Sequence, residues 1–399
     1  MNILVIILIA VSTLVFVFFV RNAISSYQEY LCGQKRPGEV RKGPLLYEPD
    51  SYTGSKLASN VSVFIQRRIT KEHVYTNDMG FRIEKPGLIQ KTPVDIVFLG
   101  CSTVMGVGVE YETTFVSKIS KIQDVNVANL GVGSHGLQQF VRNLEKNVKD
   151  LKPSMVVLCY GHGHTDRAFK VNAFASILRR PIYVYHKNKD TLIIREPKYN
   201  PPVSLVNKLS DLMMYPNIPH IFSFKDIILY MQKEILMKYV TIRNGALLNL
   251  FLNKLGLKKW QYADSSLEKN RRRVIFDAVQ KLNKLSKEFG FAVLIHNYFP
   301  YSHFDFDVNE KKQEVSNRLA SIDTGLFQEA INITNADNIF YEAPDLEKEL
   351  YDDWMHNNGF DEGHYKDAFH LPDNNHPNEI GHSIIAESIV KQLKKYSVI

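Results

Sequence analysis

Cysteine is scarce. The 399-residue chain has three, Cys32, Cys101 and Cys159, too few for the disulfide framework that staples small secreted domains. Charge of one sign is not concentrated either. The 49 Lys and Arg against 42 Asp and Glu leave +7, a mild excess spread along the chain, whereas a nucleic-acid binder gathers its basic residues on one face or helix. The longest basic run, Arg271-Arg272-Arg273, falls inside a helical pattern and reads as a solvated helix face. The 23 Phe and 20 Tyr are scattered, without an RNA-stacking motif. No nucleic-acid partner is expected. Internal repeats and low-complexity stretches are absent as well. With 45% apolar residues, wholesale disorder and a collagen-like chain are excluded. The length suits one large domain or two ordinary ones.

Residues 1–20 carry no charged side chain, and Ile3 through Val20 are almost entirely aliphatic or Phe. At about 1.5 Å per residue, twenty helical residues span the roughly 30 Å hydrocarbon core of a bilayer. No Lys or Arg precedes the run and Arg21 ends it, so a retained anchor over 1–21 is expected rather than a cleaved signal peptide. The membrane partner is therefore residues 1–20, as a single pass.

Residues 22–90 are polar, with Gly, Pro and mixed charge, and read as a linker and lead-in. Short, nearly continuous apolar segments follow: Val94–Leu99, Val125–Leu130, Met155–Tyr160 and Phe291–His296. Segments of this kind are buried on both faces, as in a parallel sheet. Helical patterns separate them, notably Gln138–Lys149 and Leu267–Phe289, and Ile380–Tyr396 closes the chain. The alternation predicts a three-layer α/β/α sandwich over 91–399 with a mainly parallel sheet. A stretch at about 168–265 breaks the rhythm and reads as an insertion covering the sheet's functional edge. It opens with a hairpin of Ile182–Tyr185 and Thr191–Ile194.

Ligands bind outside the carboxyl ends of the strands of an α/β sheet. The first strand runs into Leu99-Gly100-Cys101-Ser102-Thr103. A Ser between small residues at a strand-to-helix turn can expose its hydroxyl beside the backbone N–H groups of that turn. A plain helix cap is the alternative reading of Ser102. Near the C-terminus stands Asp373-Asn374-Asn375-His376-Pro377-Asn378. An Asp three residues before a His on a loop can orient the imidazole and stabilise its charged form, leaving the other ring nitrogen to take a proton from a Ser.

Taken in order, these blocks resemble the SGNH, or GDSL, hydrolases. The first block is Leu99 to Gly108, the second Asn129-Leu130-Gly131-Val132-Gly133-Ser134-His135-Gly136, and the last Asp373 to His382. Thr76-Asn77-Asp78-Met79-Gly80-Phe81-Arg82 is similar to a lead-in of membrane-anchored members. The resemblance covers 76–165 and roughly 270–399. It implies a flavodoxin-like body and a serine esterase. Ser102 would be the nucleophile, His376 the base and then the acid, and Asp373 the residue that orients His376. The N–H groups of Ser102 and of Gly133 or Ser134 would hold the oxyanion.

Two departures stand out. Cys101 replaces the Asp that precedes the family's nucleophile. The third block, normally Gly-x-Asn-Asp, reads Gly161-His162-Gly163-His164-Thr165-Asp166. The missing Asn leaves His164, with Thr165 as the other candidate, to supply the third oxyanion donor. His162 and His164 with Asp361, His364 or His370 make a zinc site imaginable, but no ligand spacing supports it. Cys101 could act as a thiolate nucleophile, although strand alternation would turn it away from Ser102 into the core. No metal and no organic cofactor is expected. The expected substrate is an ester, with acylated glycans and lipids as candidates. Acyl transfer to a sugar by the same triad, or a non-catalytic glycan-binding or assembly role, are the alternatives. Arg21, Lys35 and Arg36 flank the anchor on its C-terminal side, which by the positive-inside rule keeps the body in the cytoplasm. The resemblance implies the opposite side, and an extracytoplasmic body is the expectation carried forward.

Overall fold

The computed structural model describes residues 40–67, 69–161, 163–170, 180–186, 191–196, 260–262, 264–299, 310–344, 356–357, 359, 369, 371 and 376–396. The expected anchor at 1–20, Asp373, His162, Asp361, His364, His370 and most of the insertion lie outside them. Among the described residues no helix is long and apolar enough to cross a membrane.

The stretch 40–83, expected as part of a linker, is folded. β1 (Val40–Lys42), β4 (Ser62–Gln66), β5 (Lys71–Thr76) and β6 (Arg82–Ile83) form an antiparallel sheet, and β2 (Tyr47–Asp50) pairs with β3 (Gly54–Leu57). These strands are short, and β4 and β5 are buried on alternate residues, so no segment reads as a continuous apolar run. Val63, Ile65 and Val74 are nevertheless fully enclosed with Leu46, Tyr47 and Leu57.

The body follows as β7 (Ile96–Gly100), α1 (Ser102–Met105), α2 (Phe115–Gln123), β8 (Val127–Gly131), α3 (Leu137–Leu151), β9 (Met155–Gly161) and α4 (Gly163–Arg167). The hairpin β10 (Ile182–His186) and β11 (Thr191–Arg195) forms as expected, with β12 (Trp260–Tyr262) added on its β10 side. Then come α5 (Glu268–Phe289), β13 (Ala292–Phe299), α6 (Glu310–Ile333), β14 (Ile339–Glu342) and α7 (Glu379–Lys395). The central sheet has the order β8-β7-β9-β13-β14, with every pair parallel. Numbered along the chain this is 2-1-3-4-5, the flavodoxin-like doubly wound order, whose switch point lies between β7 and β9.

Alternation along the strands sends side chains to two helix layers. Val97, Leu99, Val156, Leu158, Val293 and Ile295 pack against α3, α5 and α6, while Ile96, Phe98, Met155, Val157 and Leu294 pack against α2 and α7. The described part of the insertion lies along α3 and α5. Tyr183 donates to Asp277 at 2.9 Å, and Arg142 pairs with Glu196 at 2.6 Å.

Arg271 corrects the sequence reading of a solvated basic face. It is 0% exposed. Its guanidinium donates from Nε to Asp323 Oδ1 at 2.6 Å and also reaches Asp166, while the Tyr160 hydroxyl donates to Asp323. Arg272 and Arg273 do sit on the helix surface, paired with Glu329 and Asp277. Three adjacent residues on a helix point about 100° apart, so one of them can enter the core while the others stay wet.

Candidate active site

Three strand ends meet at the switch point. β7 ends at Gly100, and Cys101, not Ser102, is the cap residue of α1; no side chain caps that helix. The cap alternative for Ser102 therefore falls away. Ser102 is half-buried at the first helical position, where its own N–H has no intrahelical acceptor. Its carbonyl accepts the N–H groups of Gly106 and Val107 at 2.9 and 3.0 Å, which closes the turn beneath it.

β8 lies beside β7 in register, Gly100 opposite Gly131. An added Cβ on Gly131 would sit 2.3 Å from the Met105 nitrogen and 2.7 Å from the Val104 carbonyl carbon. Only glycine lets α1 rest on the end of this strand. Asn129 ties the two together, donating from Nδ2 to the Val104 carbonyl at 2.8 Å while its Oδ1 accepts from Gly131 N–H at 2.9 Å.

Past β8 the chain turns through Gly133 and Ser134, whose N–H groups donate to no acceptor among the described residues. Ser134 takes a left-handed φ of 63°, uncommon for a residue with a side chain and a mark of local strain. The loop is held from outside. Arg180 donates to the Ser134 carbonyl at 2.8 Å, and Arg167 to the His135 carbonyl at 2.9 Å. His135 is buried and contacts the Ser55 carbonyl through Nε2 at 2.9 Å. Burial, reinforced by the Arg180 charge, pushes its pKa down to about 3, so the ring is neutral.

From the end of β9 comes His164, buried beneath Phe140 and Tyr160 with edge-on ring contacts at 5.0 and 5.9 Å. Its Nδ1 accepts the Gly161 N–H at 2.9 Å, and its Nε2 meets Cys101 Sγ at 3.0 Å. A nitrogen that accepts an N–H carries no proton of its own, so the network assigns the hydrogen to Nε2, pointing at the sulfur. In this arrangement the Nε2 hydrogen of His164, the sequence-expected third oxyanion donor, points at Cys101. Thr165, the other candidate, is fully buried with its hydroxyl 2.6 Å from that of Tyr160.

Cys101 is buried, as expected, but strand alternation does not carry it away from Ser102. The strand has ended, and the Ser102 hydroxyl donates toward Cys101 Sγ at 3.7 Å. Burial opposes ionisation of this thiol, but the hydrogen bond from His164, with the Arg167 charge and the Thr103 backbone behind it, holds it well below the usual thiol range. His164 is not arranged as a base for it, since protonating Nδ1 would break the Gly161 hydrogen bond. The sulfur thus stands as an acceptor beside the Ser102 hydroxyl.

His376 is half-buried in the segment before α7. Its carbonyl accepts from Leu371 N–H at 2.7 Å, and Asn378 donates from its own N–H to the Phe369 carbonyl at 2.9 Å. Asn378 then caps α7 through Oδ1, accepting from Ile380 and Gly381 at 3.0 Å. One turn on, His382 is buried and accepts the Phe115 N–H through Nδ1 at 3.2 Å. Phe115 opens α2, which starts at the carboxyl end of β7, so this contact brings the His376 segment to the end of the sheet that carries Ser102. Asp373 lies outside the described residues. Of the imagined zinc ligands only His164 is described, and no group of three or more metal-ligating side chains occurs among the described residues.

Sequence reasoning missed the residues that hold this loop cluster: Asn129, Arg167, Arg180 and, behind α1, Glu72 and Arg82. The resemblance at Thr76–Arg82 marked that last segment but gave no role for it.

No family model matches the chain, and no curated protein is similar to it in sequence. Solved structures overlap it partially. A GDSL-like lipase from Bacteroides thetaiotaomicron is 13% identical, with 77% of this chain and 93% of that chain covered and a TM-score of 0.34. An esterase from Pseudoalteromonas is 10% identical, with 76% and 97% covered and a TM-score of 0.35. An acetyl xylan esterase is 12% identical, with 75% and 100% covered and a TM-score of 0.36.

Proposed function

We propose that the chain is a serine ester hydrolase of the SGNH type, anchored through residues 1–20 with its body outside the cytoplasm. Ser102 attacks the ester carbonyl. His376 takes the hydroxyl proton and returns it to the leaving alcohol, and Asp373 orients His376. The N–H groups of Ser102 and of Gly133 or Ser134 receive the oxyanion. Water then releases the acyl group from Ser102. The substrate class is an acyl ester, with acetylated glycans the preferred candidates for an anchored enzyme. Neither a metal nor an organic cofactor enters these steps.

One observation carries the reading. Ser102 stands at a strand end with no capping duty, at the switch point of the sheet, next to a strained turn whose Gly133 and Ser134 N–H groups donate to no acceptor among the described residues.

The test is covalent labelling with a fluorophosphonate, together with hydrolysis of p-nitrophenyl acetate. Both should be lost in folded Ser102→Ala, and nearly as completely in His376→Ala, because the residues of a triad act as a unit. The wild-type rate should rise with pH through one group at roughly 6–7. Full labelling of Ser102→Ala would sink the reading.

A further inference from the structure

Glu72 and Arg82 are both fully enclosed, and neither belongs to the sheet that carries Ser102. Arg82 reaches across to the return of the Ser102 turn. Its Nη1 donates to the carbonyls of Met105, at 2.7 Å, and Gly106. Its Nη2 donates to those of Val109, at 2.7 Å, and His73, at 3.2 Å. Glu72 accepts the Gly108 N–H through Oε2 at 2.8 Å and lies between Arg67 at 2.6 Å and Arg82 at 3.8 Å. The four residues Met105, Gly106, Gly108 and Val109 are thus each tied by a backbone hydrogen bond to one buried ion pair. Gly106 links the pair to the nucleophile directly: its carbonyl meets Arg82, and its N–H donates to the Ser102 carbonyl.

We infer that Arg82, supported by Glu72, is a positioning residue for Ser102, and that the small sheet of residues 40–83 is a brace for the nucleophile turn. The inference rests on Ser102 being the nucleophile. The physical reason lies in the shortness of α1. A helix of Ser102–Met105 has four residues, about one turn, and a single turn does not hold itself. Its last carbonyls would find water in an isolated peptide; here they are buried and need donors. A planar fork of donors satisfies several of them at once in a fixed geometry, which a single ammonium cannot do. Gly106 and Gly108 adopt φ of 82° and 97°, so the turn doubles back tightly enough for one guanidinium to span 105 to 109. Apolar contact adds to this, since Met105 and Val107 sit in the same small core as Val63, Ile65 and Val74. An error of about 1 Å in a reacting group can cost about 100-fold in rate, and loosening this clamp lets the Ser102 backbone shift on that scale.

The test is the series Arg82→Lys, Arg82→Met and Glu72→Gln, each checked for folding by thermal melting before kinetics. With p-nitrophenyl acetate, kcat should fall about 10- to 100-fold in Arg82→Met with KM within about twofold. Fluorophosphonate labelling should slow by the same factor. Arg82→Lys should rescue part of the loss, and the pH profile should stay in place, since the base is untouched. A folded Arg82→Met that labels at the wild-type rate overturns the inference. Should Arg82→Met fail to fold, wild-type labelling in folded Arg82→Lys and Glu72→Gln overturns it equally. Ser102→Ala separates the two claims. Its loss of labelling alongside unaffected clamp variants sinks the brace and spares the nucleophile, while persistent labelling of Ser102→Ala sinks both.

Discussion

Replacing Gly131 by alanine tests the contact on which the site depends. The new methyl would lie 2.3 Å from the Met105 nitrogen, 2.7 Å from the Val104 carbonyl carbon and 2.9 Å from Asn129 Oδ1. Ordinary contact begins near 3.4 Å, so α1 and the end of β8 must separate by about 1 Å. The two nearest partners are backbone, and neither can rotate aside. Overpacking of this kind costs about 1–3 kcal/mol of stability. The effect on turnover should be the more telling one. Ser102 rides on α1, and Gly133 and Ser134 follow β8, so on the proposed reading the separation moves Ser102 away from the oxyanion donor at Gly133 or Ser134 whichever element yields. A misplacement of about 1 Å predicts about a 100-fold fall in kcat, equivalent to about 2.7 kcal/mol in the barrier. The assay is p-nitrophenyl acetate hydrolysis at a temperature where melting curves show the variant folded, with KM followed separately. A folded Gly131→Ala protein retaining wild-type kcat would refute the proposed placement of an oxyanion donor at the end of β8.

Two further outcomes follow from the buried charges. Arg271→Met leaves Asp323, fully buried, without its cation; removing one partner of a buried pair costs about 3–5 kcal/mol. Burial already raises the Asp323 pKa, and without Arg271 it rises further. A carboxyl whose folded pKa exceeds its unfolded one contributes stability at low pH that is lost as pH climbs through the folded value. Urea unfolding should therefore show a larger deficit at pH 7.5 than at pH 5, and equal deficits would contradict the assignment. For Cys101, a thiol held below its usual range should develop its thiolate absorbance near 240 nm at lower pH than an ordinary thiol, a transition absent in Cys101→Ala and moved to higher pH in His164→Ala. The sign for stability is the reverse of Asp323: the contribution is complete above the unfolded thiol pKa of about 8.5 and fades as pH falls through the folded value. A Cys101 thiol that titrates unchanged in His164→Ala would show that the 3.0 Å contact does not hold its charge.

Much of the body was legible in the chain, because parallel strands buried on both faces leave uninterrupted apolar runs and the helices between them keep a strict period. The runs at 94–99, 125–130, 155–160 and 291–296 correspond to β7, β8, β9 and β13 within two residues at their starts. β14 was missed because Ile339–Glu342 is a four-residue edge strand with a single fully buried residue. Residues 40–83 were missed for a related reason: half-buried antiparallel strands broken by Gly, Pro and charge resemble a linker when nothing shows what they cover. Ser102 and the Asp373–His376 block stood out by residue type and order alone. Residue type could not say how ring nitrogens and guanidiniums are spent. That His164 gives its only N–H to Cys101, that Arg271 enters the core while Arg272 and Arg273 do not, and that Arg82 holds the turn beneath Ser102 are each decided by atoms brought together from distant parts of the chain. Local pattern determines which segments form and which face is apolar. Only packing determines which polar groups must find partners inside, since a buried donor or acceptor left alone costs more than the sequence around it can reveal.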